Sequence, residues 1–412
     1  MYKGTIIATY IGNFVGALVT NLPPLLFVIF MNSYHLSYEQ IGRLVLINFF
    51  TQIIADLANA KAVDKFGVRP FITAGHALVV FGFIILSISP IIFPSNPYAV
   101  IIIATIIFSY GGGLLELLLS AIVGAIPGDE KIKAMSLLHS FYAWGFIAVI
   151  LVTTLLITVL GPENWYFIPL IWAIVPLINF ILFLKVPLAP MVHHDKRVKS
   201  RTLLSSPFFL LVLMGILVGG ASEVIISQWT STFAENALGL SKATGNLIGL
   251  VFFAFFLGVG RLIFGHYGKD QHVWLFMFYG TILTIGCYLV AGLSPWPIVS
   301  LLACILSGLG VSLLWPGSIV LAHARFPHAS AALFALLAAA GDTGAALGPY
   351  SVGVVTDISI AHGITAPLQM GILSATIFPI IMLITLLFIK RNQTATGLDG
   401  SGLSRGSSLT ER

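Results

Sequence analysis

Long apolar stretches, each near the length of a membrane-crossing helix, follow one another along almost the whole of this 412-residue chain. A hydrocarbon core about 30 Å thick takes roughly 20 residues of helix. The stretches read as twelve spans: Thr5–Met31, Glu39–Ala60, Pro70–Ile92, Pro97–Ile126, Lys133–Leu160 and Trp165–Leu184, then Pro207–Asn236, Ala243–Tyr267, His272–Leu293, Pro297–His323, Ser330–Ile358 and Pro367–Ile389. Charged residues make up 8% of the chain, far below the roughly 25% of a soluble domain, so there is too little charge to cover a water-facing surface. Forty glycines and 20 prolines suit such a bundle, where small residues let helices approach and proline bends are tolerated.

The predicted fold is an all-α membrane protein with twelve transmembrane helices in two pseudo-symmetric six-helix bundles. Residues 1–184 form the first half, 185–206 a basic linker, 207–390 the second half, and 391–412 a disordered tail rich in Gly and Ser. The first stretch is too long for the apolar region of a cleavable leader and reads as a span. With the N-terminus inside, all of the 20 lysines and arginines except Arg43 and Lys242 fall on the inner side, which sets both termini in the cytoplasm of a cell-membrane protein. The net charge of +5 is a topology signal and does not point to nucleic acid. Cys287 and Cys304 lie inside apolar segments, which argues against a disulfide or metal site. His193 and His194 sit among Lys and Arg in the solvated linker.

A weak repeat links the halves. Asp56, Ala60 and Asp64-Lys65-Phe66-Gly67-Val68-Arg69 follow the second span at four-residue spacing, and Arg261, Gly265 and Lys269-Asp270 follow the eighth. The Ala60–Arg69 run resembles the loop between the second and third helices of the major facilitator superfamily, Gly-x3-Asp-Arg/Lys-x-Gly-x-Arg/Lys, with Ala60 in place of the first Gly. The resemblance implies a cytoplasmic latch of Asp56, Asp64, Lys65, Arg69 and Arg261 that breaks when the inner side opens. Further motifs are Gly111-Gly112-Gly113-Leu114-Leu115-Glu116, Leu138-His139-Ser140-Phe141, Gly220-Ala221-Ser222-Glu223 with Gln228-Trp229, Trp315-Pro316-Gly317 and Gly341-Asp342-Thr343-Gly344. This set is similar to the fucose–galactose–glucose:proton symporter branch. It differs in the first span, where sugar-transporting members carry Asn-Asp and this chain has Asn21-Leu22-Pro23-Pro24. Coupling, if present, then needs another acid.

Three of the 15 acidic residues stand well inside the spans: Glu116, Glu223 and Asp342. A carboxylate there costs roughly 2.5–3.5 kcal/mol on insertion scales, so it faces a partner or a polar cavity. Glu116 and His139 lie at similar depth on adjacent helices. With Asp342 they form the expected proton-coupling set, since a carboxyl removed from water favours its neutral form and can load and release a proton. For each of these acids the competing reading is an interhelical hydrogen bond that only pins the bundle. Asn21, Glu223, Gln228, Trp229, Trp144 and Trp315 supply amides, a carboxylate and aromatic faces of the kind a hydroxyl-rich ligand needs. Asn13 and Gln52 are further cavity candidates. Pro23, Pro24 and Pro316 are expected to free backbone carbonyls that need new partners.

There is no phosphate-binding Gly-rich loop, no nucleophile elbow and no His-Glu-x-x-His, which argues against ATP-driven transport and against an enzyme. The chain reads as a monomeric proton-coupled symporter of a small polar solute, a sugar or polyol, working in the lipid bilayer without cofactor or metal. The alternatives are an exporter or antiporter and a solute sensor on the same fold; a channel or an intramembrane enzyme comes from a different class. Reporter fusions at His194 and in the tail should both report cytoplasm, and one at Asn96 the outside. The same side for His194 and Asn96 contradicts the span count.

Overall fold

The computed structural model describes residues 2–126, 131–189, 203–267, 272–326 and 331–395, and within these every regular element is helical. The helices are α1 Lys3–Tyr34, α2 Tyr38–Phe66, α3 Val68–Ile92, α4 Pro97–Ala125, α5 Lys131–Leu160, α6 Phe167–Lys185, α7 Pro207–Thr232, α8 Val251–Tyr267, α9 Val273–Leu293, α10 Pro297–Val311, α11 Leu314–Arg325, α12 Ala331–Ala361, α13 Pro367–Ser374 and α14 Ile377–Ala395. A π-helical turn, Phe233–Ala237, extends α7, and another, Gly245–Leu250, leads into α8. Among the described residues ten helical stretches are long and apolar enough to cross a membrane.

Two of the expected spans are interrupted. The tenth breaks after Val311 and resumes as α11, and the last breaks after Ser374 and resumes as α14. Pro316 and Pro379 each stand third in the resuming helix, where a missing N–H costs no intrahelical bond. The first span does not break at its two prolines, and α1 runs on through Pro23 and Pro24. Those rings leave the carbonyls four residues earlier without their helical donors. The freed carbonyls are Val19 and Thr20, and both are satisfied from other helices. Asn48 Nδ2 on α2 donates to Val19 O at 3.2 Å, and Gln228 Nε2 on α7 donates to Thr20 O at 3.3 Å.

Helices α1–α6 pack among themselves, as do α7–α14, and the two groups meet mainly where α12 lies along α2, with smaller contacts of α5 with α8 and the turn before it and of α1 with α7. Glycines set these approaches. A Cβ on Gly344 of α12 would run into the backbone carbonyl of Leu217 on α7, and one on Gly348 would lie 3.0 Å from Ala221 Cα. On the other side of α12, a Cβ on Gly42 of α2 would stand 3.0 Å from Tyr350 Cα. Helices at backbone contact gain dispersion that larger side chains would prevent.

Several hydrogen bonds between the groups gather toward the end that carries the α1–α2 connection. The Asp357 carboxylate accepts from the backbone N–H of Tyr38 at 3.1 Å and of Glu39 at 2.8 Å, capping the first turn of α2 from α12. An anion at a helix N-terminus meets both unpaired N–H groups and the positive end of the dipole. Asn236 Nδ2 donates to the Tyr38 hydroxyl at 3.1 Å, and Asn246 Nδ2 to Thr154 Oγ1 at 3.0 Å. Trp229 is fully buried beside these, its ring between Phe27 and Tyr38 and its Nε1 donating to Pro349 O at 2.9 Å.

Asp357→Ala removes two charge-assisted bonds, each worth about 1.5–3 kcal/mol to a charged acceptor, and should loosen this end of the seam. Thiol labelling of a cysteine at Val45, buried one turn along α2 from Gly42, should accelerate several-fold in the Asp357→Ala background. An unchanged labelling rate with an unchanged Tm removes Asp357 from the seal.

Candidate functional site

The acids of three different helices converge. Asp56 of α2, Glu116 of α4 and Asp342 of α12 each offer a carboxylate oxygen, and the three oxygens lie within 4.8 Å of one another. Asp56 stands ten residues before the end of α2, Glu116 nine before the end of α4, and Asp342 eleven after the start of α12. At 1.5 Å per residue all three are about 14–17 Å from one end of the bundle. Asp342 is 4% exposed and Asp56 half-buried, whereas Glu116 is exposed despite its depth. One turn before Glu116, Gly112 abuts Val19 and Gln52, and Gly113 abuts Ala55. The Glu116 side of α4 therefore faces α1 and α2, and its exposure is to an opening inside the bundle.

This corrects the sequence reading of Asp56. The second span was expected to end at Ala60, leaving Asp56 in a charge network at the cytoplasmic rim. The helix instead continues to Phe66, and Gly67, with φ of 82°, ends it. The extra turns carry Asp56 inward to Glu116. Glu116 was expected to pair with His139; the described partners of Glu116 are the two aspartates, and the His139 side chain lies outside the described residues.

The second polar group is Glu223 of α7 with Arg261 of α8. Arg261 Nη2 donates to both carboxylate oxygens, at 3.1 and 3.2 Å, and Nε donates to Ser312 O at 3.1 Å. Ser312 sits at the break between α10 and α11, where carbonyls lack helical donors. Arg261 was expected on a cytoplasmic loop as part of a latch. It lies within the apolar stretch Gly245–Phe264 and is held by Glu223. Its long stem can cross several ångströms of apolar surface while the guanidinium reaches a polar partner.

Trp315 and Tyr142 stand between these groups. The Trp315 ring lies against Gly220 of α7, three residues before Glu223, and Gly341 of α12, next to Asp342. Tyr142 of α5 accepts a 3.5 Å bond from Asn21 Nδ2 and is in electrostatic range of Glu116 and Glu223. Asn21 is buried and also donates to Ala17 O. Gln228 and Trp229, expected at the ligand, have polar atoms engaged elsewhere, Gln228 Nε2 with Thr20 O across the groups and Trp229 Nε1 with Pro349 O of α12. Trp144 is 66% exposed, apart from the buried group. Asn13 donates to Leu138 O at 2.6 Å and Gln52 to Asn48 Oδ1 at 2.8 Å.

Of the expected latch, the Asp64 side chain lies outside the described residues. Lys65 is exposed, its ammonium 5.2 Å from the Phe66 ring centroid. Arg69 caps the end of α6 by donating to the carbonyls of Phe183, Leu184 and Val186, which ties α3 to α6 within the first group. One buried polar centre had no counterpart in the sequence reading. His76 of α3 is fully buried, with Nδ1 2.7 Å from Ile72 O and Nε2 2.7 Å from Asn179 Nδ2 of α6. A lone His and a lone Asn 103 positions apart in apolar runs carry no spacing signal.

Arg261→Ala strands the Glu223 carboxylate and should destabilise the purified protein by about 1–3 kcal/mol, less than the roughly 3–5 kcal/mol of a fully buried pair because the guanidinium is partly exposed. Adding Glu223→Gln should restore part of the lost Tm, since the pair acts as a unit. Strictly additive losses rule out the coupling.

The family model of the Major Facilitator Superfamily matches residues 9–349. No curated protein matches the sequence. Among solved structures, a D-xylose-proton symporter aligns with TM-score 0.73 at 16% identity, covering 94% of this chain and 96% of the other. A bacterial homolog of the human lysosomal transporter Spinster, in an inward-facing and occupied conformation, aligns at 0.72 with 14% identity, covering 94% and 96%. The nucleoside transporter NupG aligns at 0.71 with 14% identity, covering 93% and 99%. At these identities the likeness is one of fold. The family match, spanning most of the chain, together with the apolar helices, makes this chain a multi-span membrane transporter of the major facilitator superfamily.

Proposed function

We propose that the chain is a proton-coupled symporter of a small polar solute, a sugar or polyol, working by alternating access between two six-helix bundles with both termini in the cytoplasm of a cell membrane. The observation that carries this reading is the three-acid group, because its members come from both halves of the chain. Asp56 and Glu116 ride on α2 and α4, and Asp342 rides on α12. At separations up to 4.8 Å and an effective dielectric of about 20, each like-charged pair repels by at least about 3.5 kcal/mol. A proton taken by one acid relieves two such pairs at once. The energetic preference of the halves for meeting or parting then depends on protonation, which is what coupling requires.

Glu116 is the proton carrier in this reading, since it is the most exposed of the three. Asp342 and His139 complete the relay. The solute sits beside Trp315, Tyr142 and Asn21, with Glu223 and Arg261 as its polar floor. An aromatic face beside amide and carboxylate groups matches a hydroxylated ring. The sugar assignment rests on the motif resemblance, and the D-xylose-proton symporter is a fold neighbour consistent with it.

Glu116→Gln keeps the shape of the protonated acid. In proteoliposomes it should abolish uptake driven by a pH gradient while leaving solute exchange intact, because exchange needs no deprotonation. Glu223→Gln should instead weaken the apparent affinity for solute about tenfold. Accumulation by Glu116→Gln after a pH jump would falsify the assignment of the proton to this residue.

A further inference from the structure

We propose that Asp56, Glu116 and Asp342 form a binding site for a hard cation of Na+ or Ca2+ size, shared between the two halves of the protein. Proximity of acids alone does not make a site, and a second observation carries the argument. Asp342 Oδ2 and Asp56 Oδ1 are both buried, and neither has a hydrogen-bond partner among the described residues. Asp342 is 96% buried by its 4% exposure, so water does not serve it from outside. Buried carboxylate oxygens left without donors each cost desolvation with nothing in return. Arg261, the basic side chain of the eighth span, is committed to Glu223 and the Ser312 carbonyl.

The geometry selects the class of ion. The donors are carboxylate oxygens only, which suits hard cations and not the softer metals that take imidazole or thiolate. Ca2+ holds oxygens at 2.3–2.6 Å, so two oxygens on opposite sides of the ion stand about 4.8 Å apart. The three oxygens fall within that span. Mg2+ loses its water reluctantly and demands near-octahedral geometry, which three side chains on separate helices are poorly suited to supply. Glu116, the exposed member of the three, provides the entry path. A cation here touches α2, α4 and α12 together and so binds best when the two halves meet at this depth.

The inference rests on the transporter reading only for its consequence in coupling; the binding itself does not. The test uses the full-length protein, purified in detergent, titrated at constant ionic strength with NaCl or CaCl2, and with MgCl2 or choline chloride as comparisons. Saturable stabilisation and a calorimetric binding curve are expected for Na+ or Ca2+, and the two arms tell which. Asp342→Asn and Asp56→Asn should each weaken the affinity at least tenfold. Glu163→Gln, in the exposed connection between α5 and α6, should leave it unchanged. Each variant is first checked for a single size-exclusion peak.

A wild-type protein that responds to Na+ and Ca2+ no differently from choline overturns the site, and this arm needs no variant to fold. Equal affinity in Asp342→Asn also overturns it, as does Mg2+ binding as tight as Ca2+. Uptake driven by a pH gradient without any metal response sinks this inference and leaves the transporter standing. Metal binding without uptake does the reverse.

Discussion

Every polar group inside the bundle needs a partner, because neither hydrocarbon nor a packed helix interior supplies one. The two prolines of α1 show how far this requirement reaches. They unmake two helical hydrogen bonds, and the carbonyls of Val19 and Thr20 draw in Asn48 from α2 and Gln228 from α7. The second of these bonds joins helices on opposite sides of the chain midpoint. A local defect thus becomes a tie between the two groups of helices. Asp357 does the same from the other direction, giving the unpaired N–H groups at the start of α2 an acceptor carried by α12.

Helix α12 is the element on which these ties converge. Glycines on one face bring it to backbone contact with α7, and Gly42 lets α2 reach its other face. Its Gly341–Asp342 step then sets the Trp315 ring against α7 and the carboxylate against Asp56 and Glu116. A bulkier residue at these positions would move the carboxylate by ångströms, which is enough to dissolve the three-acid group. Small residues here have a positional task beyond close packing, because they decide which acids meet.

The Glu223–Arg261 pair and the three-acid group are polar in different ways. The first is neutral overall and internally satisfied, with its guanidinium also holding the carbonyl at the α10–α11 break. The second is uniformly acidic and retains orphaned oxygens. A satisfied pair rigidifies the bundle, whereas buried carboxylate oxygens without donors carry an uncompensated desolvation cost. Trp315 and Tyr142 lie close to members of both groups.

The all-helical, membrane-crossing character of the chain was legible in the sequence, because a bilayer imposes length and hydropathy on each segment independently of its neighbours. Glu116, Glu223 and Asp342 stood out for the same local reason. The roles of Asp56 and Arg261 were not legible. Where a helix ends depends on one or two residues at its terminus, and a few extra residues carried Asp56 from the rim to the interior. Arg261 reads as a rim charge until its long side chain is seen to cross to Glu223. His76 and Asn179, Asp357 and the start of α2, and the pairing of Asp342 with acids more than two hundred residues away depend on how helices pack. Sequence determined what each helix is and which groups it cannot bury alone. Only the tertiary structure decided which of those groups meet, because that is set by the rotation and close approach of helices far apart in the chain.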